Sequence, residues 1–360
     1  MTAPFLKRRQ SLQKLLAESR LDALLITQPA NWYYLTGFTG ESGTLIVSGT
    51  GTSLITDGRF TVQARLEAPG VKIVQQKGSL FGFTAEFVRE KGGNRIGFDP
   101  GQITVEQQAV LRKASKGRGE WKSASALVEA LRLRKDPSEL SQMRRAANLA
   151  SDVVRDAANL LRPGVREFEV AAEIEFQMRK RGASGAAFET IVAFGERGAF
   201  PHARPTSKRL RKNELVVLDL GAILGHYCSD ITRTYFVGRA PARIRRWYRA
   251  VQEAQAAAID AVKSGVTCGE VDAAARKVLA GYRLDKYFVH STGHGLGLVV
   301  HEDPRLARGQ EKRLEPGNVV TIEPGVYLQG VGGIRIEDDV AVHADRTEVL
   351  TRASRDLIEL

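Results

Sequence analysis

Four carboxylates occupy unexpectedly apolar positions beyond residue 200. Each interrupts or directly follows an apolar run typical of a strand, and the four are Asp219, Asp230, Glu323 and Glu337. Burying four such charges together without partners would be prohibitive. Two divalent cations would neutralise them, and paired ions about 3.5–4 Å apart are an established arrangement for hydrolysis. The alternative is that these acids pair with Arg233, Arg335 or solvent.

Histidines could add nitrogen ligands to these acids. Four of the six histidines fall in glycine-rich or loop segments, and they are His202, His290, His294 and His301. Gly293 and Gly295 flank His294 and allow the backbone to approach other groups closely. A carboxylate-rich site with imidazole favours Mn, Co, Fe or Zn over a soft metal. The other two histidines, His226 and His343, are interpreted as structural.

The strands that carry the acids predict how the carboxylates face one another. A two-residue hairpin loop at 224–225 would place Asp219 directly opposite Asp230. A second hairpin centred on Gly330 would place Glu323 opposite Glu337, although a bulge in a three-residue loop would shift that pairing by one. Directly opposed residues have Cβ atoms about 4.5–5.5 Å apart, and like charges there destabilise the pair. The sequence therefore predicts something positive between the members of each pair.

An internal repeat relates the two pairs. Residues 164–172 match residues 265–273 at an offset of 101, and residues 215–221 match 319–325 at an offset of 104. Each half follows the same plan, which is a long helix, a shorter helix and then paired strands. Duplication explains two matches in the same order better than chance does. The four acids are therefore expected to converge about a pseudo-two-fold axis.

Composition limits the class of protein to which this chain can belong. The 360 residues predict about two domains, and 43% hydrophobic with 26% charged residues is ordinary globular composition. The two cysteines have no spacing that would build a disulfide framework or a cysteine zinc site. The net charge of +12 invites a nucleic-acid partner, but the basic residues fall in short separate bursts. Nucleic-acid binding is therefore not the expected function.

The pattern of predicted secondary structure changes between residues 120 and 136. The first third alternates short strand-like runs, at 21–27, 44–48 and 52–56, with helical runs at 6–16 and 105–114. Long helical runs follow, and we expect domains at residues 1–125 and 126–360. No apolar stretch approaches the ~18 residues of a membrane span. The N-terminus lacks the apolar core of a secretory signal, so the expected location is the cytoplasm and no membrane partner is expected.

The segments around these acids and histidines resemble the metal-ligand motifs of the pita-bread metallopeptidases, which include methionine aminopeptidase, aminopeptidase P and prolidase. The five segments, in order, are 218–222 (LDLGA), 229–234 (SDITRT), 293–297 (GHGLG), 321–325 (TIEPG) and 335–338 (RIED). Segments 31–40 and 55–60 resemble the creatinase-type N-terminal domain of the proline-specific branch. The resemblance implies an α/β (α+β) fold in which this small domain precedes a pseudo-two-fold pita-bread catalytic domain.

The resemblance also implies residue roles. The ligands of two divalent ions per subunit would be Asp219, Asp230, His294, Glu323 and Glu337. Asp230 and Glu337 would bridge both ions, and Glu323 would also manage the proton of the attacking water. Manganese is the ion expected first, with cobalt or zinc as alternatives. Four further residues would orient the substrate or stabilise the oxyanion, and they are His202, His290, His301 and Arg335.

A cytoplasmic metalloexopeptidase acting on proline-containing peptides is the function that this resemblance implies. An aminopeptidase P-type enzyme, which releases the residue before proline, is placed slightly ahead of a prolidase restricted to X-Pro dipeptides. A homodimer or other homo-oligomer is expected. The alternative of a different class is a non-catalytic binding protein that uses the same scaffold and a basic face.

Overall fold

Two compact units make up the chain, Met1–Arg132 and Leu133–Leu360, in a computed structural model that describes residues 3–360. Both units combine helices with β-sheet, which confirms the predicted mixed α/β fold class. Among the described residues, no helix is both long enough and apolar enough to cross a membrane. The two units are described separately below.

The first unit is built on a six-stranded mixed sheet in the order β4-β3-β2-β1-β5-β6. Its strands are β1 (Ala23–Ile26), β2 (Thr44–Ser48), β3 (Gly51–Thr56), β4 (Lys72–Gln75), β5 (Arg95–Phe98) and β6 (Glu120–Ser123). Its helices are α1 (Ala3–Glu18), α2 (Pro29–Thr36), α3 (Thr61–Glu67), α4 (Leu80–Glu90), α5 (Val105–Ala114) and α6 (Leu127–Arg132). The three predicted strands correspond to β1, β2 and β3, and the two predicted helices to α1 and α5.

Helix α6 belongs to this first unit, whereas a boundary after residue 125 assigns it to the second. Its hydrogen bonds explain the difference. The hydroxyl of Tyr34 donates to the carbonyl of Leu131 at 3.1 Å, and Arg132 donates to the side chain of Asn31 at 2.6 Å. The turn residues near 120–136 show where the sequence pattern changes, but they give no information on these long-range contacts.

The second unit contains the repeat. Its first half comprises α7 (Pro137–Ala157), α8 (Glu167–Lys180), β7 (Gly185–Ala186), β8 (Ile191–Phe194), β9 (Leu215–Leu220), β10 (Ala222–Leu224), β11 (Tyr227–Cys228) and β12 (Ile231–Phe236). Its second half comprises α9 (Ala242–Ala261), α10 (Cys268–Gly281), β13 (Gly293–Gly295), β14 (Glu302–Leu306), β15 (Val319–Ile322), β16 (Gly325–Leu328), β17 (Gly332–Arg335), β18 (Asp338–Val342) and β19 (Thr347–Val349), and β20 (Ile358–Glu359) follows.

The same backbone hydrogen bonds recur in both halves. Gly164 donates to Leu210 at 2.9 Å, and its counterpart Gly265 donates to Leu314 at 2.8 Å. The isolated bridge between residues 166 and 209 recurs between residues 267 and 313. The helix starts are capped alike, because a Glu side chain returns to the N-cap backbone N–H of both α8 and α10. Both halves therefore have the common plan that the repeat predicts.

Strand alternation decides which face of each sheet carries the acids. In β9, Val216, Leu218 and Leu220 pack in one core cluster with residues of α7 and α8. Asp219 therefore points to the opposite face. In β15, Val320 and Ile322 pack in a cluster with residues of α9. Glu323, which follows β15, has the parity of the opposite side of that strand.

The first hairpin has a register that differs from the predicted one. Its turn residues are Gly225 and His226, with φ of 57° and 72°, and β10 pairs with β11 through Leu224 and Tyr227. Positive φ at both central residues is the requirement of the tight hairpin turn that matches strand twist. The shift places Asp219 opposite Thr232, so the prediction that it faces Asp230 directly was wrong. Because the shift is two residues, both acids stay on one face.

The second hairpin has the predicted register. Strands β16 and β17 pair from Gly325 and Arg335 to Leu328 and Gly332, so the hairpin is centred on Gly330. Strands β15 and β18 continue in the same register beyond it. Residues 323–324 and 336–337 lie between these two ladders, outside any strand.

Candidate metal centre

Breaks between strands position most of the acidic side chains. Asp230 lies between β11 and β12, and Glu337 lies between β17 and β18. Glu323 lies between β15 and β16, whereas Asp219 lies inside β9. A break frees the backbone from ladder geometry and lets a side chain turn towards its neighbours. In both halves such a break follows the second strand of the hairpin, after β11 at Asp230 and after β17 at Glu337.

Two of these acids form a compact cluster with His294. One ligand atom from each of Asp230, His294 and Glu337 lies within 4.8 Å of the others. The Nε2 atom of His294 lies 3.7 Å from an Asp230 oxygen and 3.5 Å from an oxygen of Glu323. The structure therefore brings four of the five predicted ligands together directly. The fifth, Asp219, joins them through its charge, which raises the pKa of both Asp230 and Glu337.

The glycines beside His294 allow strand β13 to pack closely against its neighbours. A Cβ atom on Gly293 would lie 1.8 Å from the carbonyl oxygen of Thr321, and one on Gly295 would lie 2.1 Å from that of Asp303. These distances exclude any side chain at either position. The backbone N–H of His294 also donates to Thr321 Oγ1 at 3.1 Å.

Burial and mutual repulsion dominate the electrostatics of the cluster. Desolvation, followed by the charge of a neighbouring carboxylate, raises the pKa of Asp230 and of Glu337 well above its usual range. Burial raises the pKa of Glu323 to about 8 and lowers the pKa of His294 to about 4. The imidazole is therefore neutral at pH 7 and offers a nitrogen lone pair.

These residues fit divalent cations. Buried oxygens of Asp219 and Asp230, both Oδ1, have no hydrogen-bond partner among the described residues. Orphaned carboxylate oxygens in a buried, mutually repelling group are costly unless a cation compensates them. Carboxylate oxygens with one imidazole form a donor set that suits Mn, Co, Fe or Zn. The arrangement can therefore hold metal at the position that the sequence predicts.

Arg335 is buried and joins several groups around the acids. Its Nη2 donates to Asp219 at 2.5 Å, its Nε to Thr232 at 2.9 Å and its Nη1 to the hydroxyl of Tyr327 at 2.6 Å. The sequence left open that Arg233 or Arg335 pairs with one of the acids, and Arg335 does pair with Asp219. The other arginine considered, Arg233, pairs with Asp338 instead.

The three remaining predicted histidines lie near the cluster. His290 Nε2 lies 2.8 Å from the hydroxyl of Tyr327, and its Nδ1 lies 3.9 Å from Glu323. The ring of His301 stands 4.4 Å from that of His294. His202 is exposed, and its charge lowers the pKa of both His290 and His301, after the larger effect of burial.

The two histidines interpreted as structural, His226 and His343, lie in a hairpin turn and beside an acid outside the cluster. His226 is the exposed turn residue of the first hairpin. His343 Nε2 lies 2.8 Å from Glu348.

Tyr327, Thr232 and Asp339 belong to the site but were missed by sequence reasoning. Thr232 donates to Glu337 at 2.6 Å, and Asp339 accepts the backbone N–H of Asp230 at 3.1 Å. A period-two pattern could have found Tyr327, four residues after Glu323. Asp339 and Thr232 each lie two residues after a cluster carboxylate, which is a signal that the repeat offers.

Comparisons with known proteins give a match for each part of the chain. Residues 141–344 match metallopeptidase family M24, and residues 8–134 match the creatinase/prolidase N-terminal domain. A Xaa-Pro dipeptidase of Pyrococcus furiosus is 36% identical over 98% of this chain and 99% of its own length.

Solved structures give the same result. A Xaa-Pro dipeptidase from Bacillus anthracis superposes with a TM-score of 0.96 at 38% identity, over 99% of this chain and 100% of the other. An X-Pro aminopeptidase from Thermotoga maritima gives 0.89 at 32% identity, over 97% and 99%.

Proposed function

This chain belongs to metallopeptidase family M24, and from that premise we propose that it is a Xaa-Pro dipeptidase, an exopeptidase that cleaves the bond before proline in X-Pro dipeptides. The observation that carries the proposal is the buried cluster of Asp230, His294 and Glu337. The Xaa-Pro dipeptidases among the relatives and the structural neighbours support the substrate class.

The proposed cofactor is a pair of divalent ions. The residues that would hold them are Asp219, Asp230, His294, Glu323 and Glu337, and ligand atoms of Asp230, His294 and Glu337 already lie within 4.8 Å of one another. Bound divalent ions supply positive charge to the reacting carbonyl and lower the pKa of water. Manganese is proposed first, with cobalt or zinc as alternatives, because the donor set accepts all three.

Glu323 is proposed as the proton carrier. Its carboxylate belongs to the cluster, with an oxygen 3.5 Å from His294 Nε2, so it would lie beside the reacting atoms, where a general acid–base group must be. Its carboxylate would accept the proton of the attacking water and return it to the leaving proline nitrogen. Thr321 donates to Glu323 Oε1 at 3.4 Å and helps to hold that carboxylate.

Neutral imidazoles are proposed to stabilise the oxyanion. Burial lowers the pKa of His290 to about 4 and also lowers that of His301, so both rings are uncharged at pH 7. The ring N–H of a neutral His301 would donate to developing charge without repelling the nearby ions. Both ring nitrogens of His290 already have partners, the Ser291 carbonyl and the Tyr327 hydroxyl, so His290 would act by orienting that hydroxyl. We assign His202 to substrate orientation in the same region, and Arg335 to holding Asp219.

An aminopeptidase P-type enzyme, placed first on the sequence alone, is the second candidate. The structural likeness to the X-Pro aminopeptidase of Thermotoga maritima favours it. The two reactions share the same chemistry, and they differ in whether the substrate can continue beyond the proline.

Substrate length tests the choice. With manganese present, we expect hydrolysis of Ala-Pro to exceed that of Ala-Pro-Ala by at least tenfold in kcat/KM. The reverse preference would identify the aminopeptidase reaction. Asp230→Ala tests the metal chemistry itself, and Asp345→Ala, which removes an exposed acid, is the matched control.

The assembly and location are also proposals. We propose a homodimer, which sedimentation equilibrium would test by giving twice the chain mass of 39.5 kDa. We propose a cytoplasmic location. Cell fractionation tests that assignment.

A further inference from the structure

Two buried backbone N–H groups lie at the strand breaks that carry Asp230 and Glu337. A break removes the ladder partner that an N–H within a strand would have. A buried N–H without a partner is costly, so each must be satisfied in another way. The two halves of the repeat solve this problem with residues at equivalent positions.

Thr232 satisfies the N–H of Glu337. The backbone N–H of Glu337 donates to the carbonyl of Thr232 at 3.1 Å, and the Thr232 hydroxyl donates to the Glu337 carboxylate at 2.6 Å. Thr232 lies two residues after Asp230. The first half thus fixes both the backbone and the side chain of the acid supplied by the second half.

Asp339 satisfies the N–H of Asp230. It lies two residues after Glu337, is 1% exposed, and accepts the Asp230 N–H through Oδ2 at 3.1 Å. Its own position is fixed on both sides of β18. It pairs with Thr321 in β15, and its carbonyl accepts the N–H of Leu350 at 2.8 Å.

The cross-strand pair of Asp339 and Thr321 acts on two members of the cluster. Asp339 holds the backbone of Asp230, and Thr321 Oγ1 holds the backbone N–H of His294 at 3.1 Å. Together with Thr232, these contacts account for the backbone N–H of every residue in the three-residue cluster. The backbone at Asp230 and at His294 is therefore held by one pair of facing residues on β15 and β18.

We propose that Asp339 is a positioning residue that presents Asp230 to the metal pair by accepting its backbone N–H. The inference rests on the proposed function, because it needs Asp230 to bind metal. The oxygen acceptor carries this role, and the negative charge does not. A side chain of the same size with a correctly placed oxygen should therefore replace Asp339, whereas one without an acceptor should not.

Manganese titration calorimetry of the metal-free full chain separates these cases. Asp339→Asn keeps an acceptor oxygen and removes the charge, and we expect its manganese Kd to stay within about threefold of wild type. Asp339→Leu removes both acceptor oxygens and keeps the branching of the side chain. We expect its Kd to rise at least about tenfold, because a buried N–H is left unsatisfied and Asp230 is released.

Hydrogen exchange in the metal-free proteins provides a readout that needs no metal and no activity. The peptide containing Asp230 should exchange faster in the Leu variant and at the wild-type rate in the Asn variant. Equal weakening of manganese binding by both substitutions would overturn the proposal, since the charge would then be responsible. Wild-type behaviour of both variants would overturn it as well.

Two further variants keep the outcome interpretable. If Asp339→Leu does not fold, judged by far-ultraviolet circular dichroism, Asp339→Ala takes its place as the acceptor-free variant. Asp230→Ala is measured in parallel. If Asp230→Ala binds manganese as wild type does, the proposed function fails. If Asp230→Ala loses manganese binding but the Asp339 variants bind as wild type does, only the positioning role is overturned.

Discussion

The two halves of the second unit share one plan but place their acids differently. In the first half, a two-residue turn at Gly225 and His226 puts Asp219 within the ladder, opposite Thr232. In the second half, Glu323 lies beyond the end of β15. The longer side chain occurs where the backbone has left the ladder. Duplication has therefore kept the strand breaks, whereas register and side-chain length differ between the copies.

The strands beside the acid-bearing strands differ even more. Strand β8, which pairs with β9, is the apolar and fully buried segment Ile191–Phe194. Strand β13, which pairs with β15, is Gly293–Gly295 and carries His294. One copy thus contributes packing at this position and the other contributes a nitrogen donor. A symmetric fold has acquired an asymmetric site through a strand of three residues.

Removing one acid from each half tests the comparison most severely. Asp230→Ala and Glu337→Ala should each lower X-Pro hydrolysis by at least about 10³-fold, because each would remove a carboxylate proposed to hold the metal ions. Steady-state kinetics with Ala-Pro in manganese measures the loss, and Asp345→Ala should keep wild-type activity. A variant from one half that retains turnover would contradict equal participation of the halves.

Crowding β13 tests its close approach. Gly293→Ala should displace the strand and His294, because the new Cβ would lie 1.8 Å from the Thr321 carbonyl oxygen. We expect a loss of about 1–3 kcal/mol in stability and a fall in activity of about 10²-fold. Thermal melting and kinetics measure both effects. Gly281→Ala, at a helix end with open space around it, should be neutral or slightly stabilising.

The hydroxyl of Tyr327 connects two residues of the second half. Tyr327→Phe removes the partner of Arg335 Nη1 and of His290 Nε2. Because losing a buried hydrogen bond costs about 1–3 kcal/mol, we expect kcat/KM to fall about tenfold to a hundredfold. Tyr287→Phe is the matched control outside the cluster. Unchanged kinetics in the Tyr327 variant would remove this residue from the site.

The pH dependence of the metal-free protein gives the smallest effect. Burial raises the pKa of Glu323 to about 8 in the folded state, so that state binds more protons than the unfolded chain at pH 7. Stability must then fall as pH rises, and from pH 7 to 8 we expect a loss of at least about 1 kcal/mol. His290 and His294, with folded pKa values of about 4, contribute little in this window.

Urea unfolding in chelator measures that slope. Glu323→Gln should reduce it, because the amide does not titrate, and added manganese should also reduce it. A stability that rises from pH 7 to 8 in the wild-type metal-free protein would contradict the electrostatic account of the cluster.

Much of the site was predictable because its chemistry has strong sequence signals. Acids inside apolar runs, a histidine between glycines and a repeat of nearly constant offset indicate the cluster from residue types and spacing alone. The first hairpin register was not predictable in the same way. The signal there is weaker, because it is only a preference: histidine is among the few non-glycine residues enriched at positive φ, the conformation that His226 adopts, and this favours it over Leu224 as a turn residue.

The supporting residues were harder to identify for a different reason. Tyr327 lies in a buried strand where an aromatic residue indicates core packing, and its hydroxyl gains a role only through Arg335 and His290, which the fold brings to it. Asp339 follows another acid, Asp338, which is held by Arg233, Gln255 and Arg355. Only the spacing of two residues from Glu337, repeated between Asp230 and Thr232, separates Asp339 from Asp338 in the sequence. Their different partners come from β-strand alternation within the assembled sheet.

Counting metal ions is the most direct test of the account. Metal analysis after manganese saturation and desalting should find two ions per chain in the wild-type protein. It should find fewer than two in Asp230→Ala and in Glu337→Ala alike, because both halves hold the same pair. Two ions retained in both variants, or none in the wild type, would contradict the claim that the duplicated strands together form one metal centre.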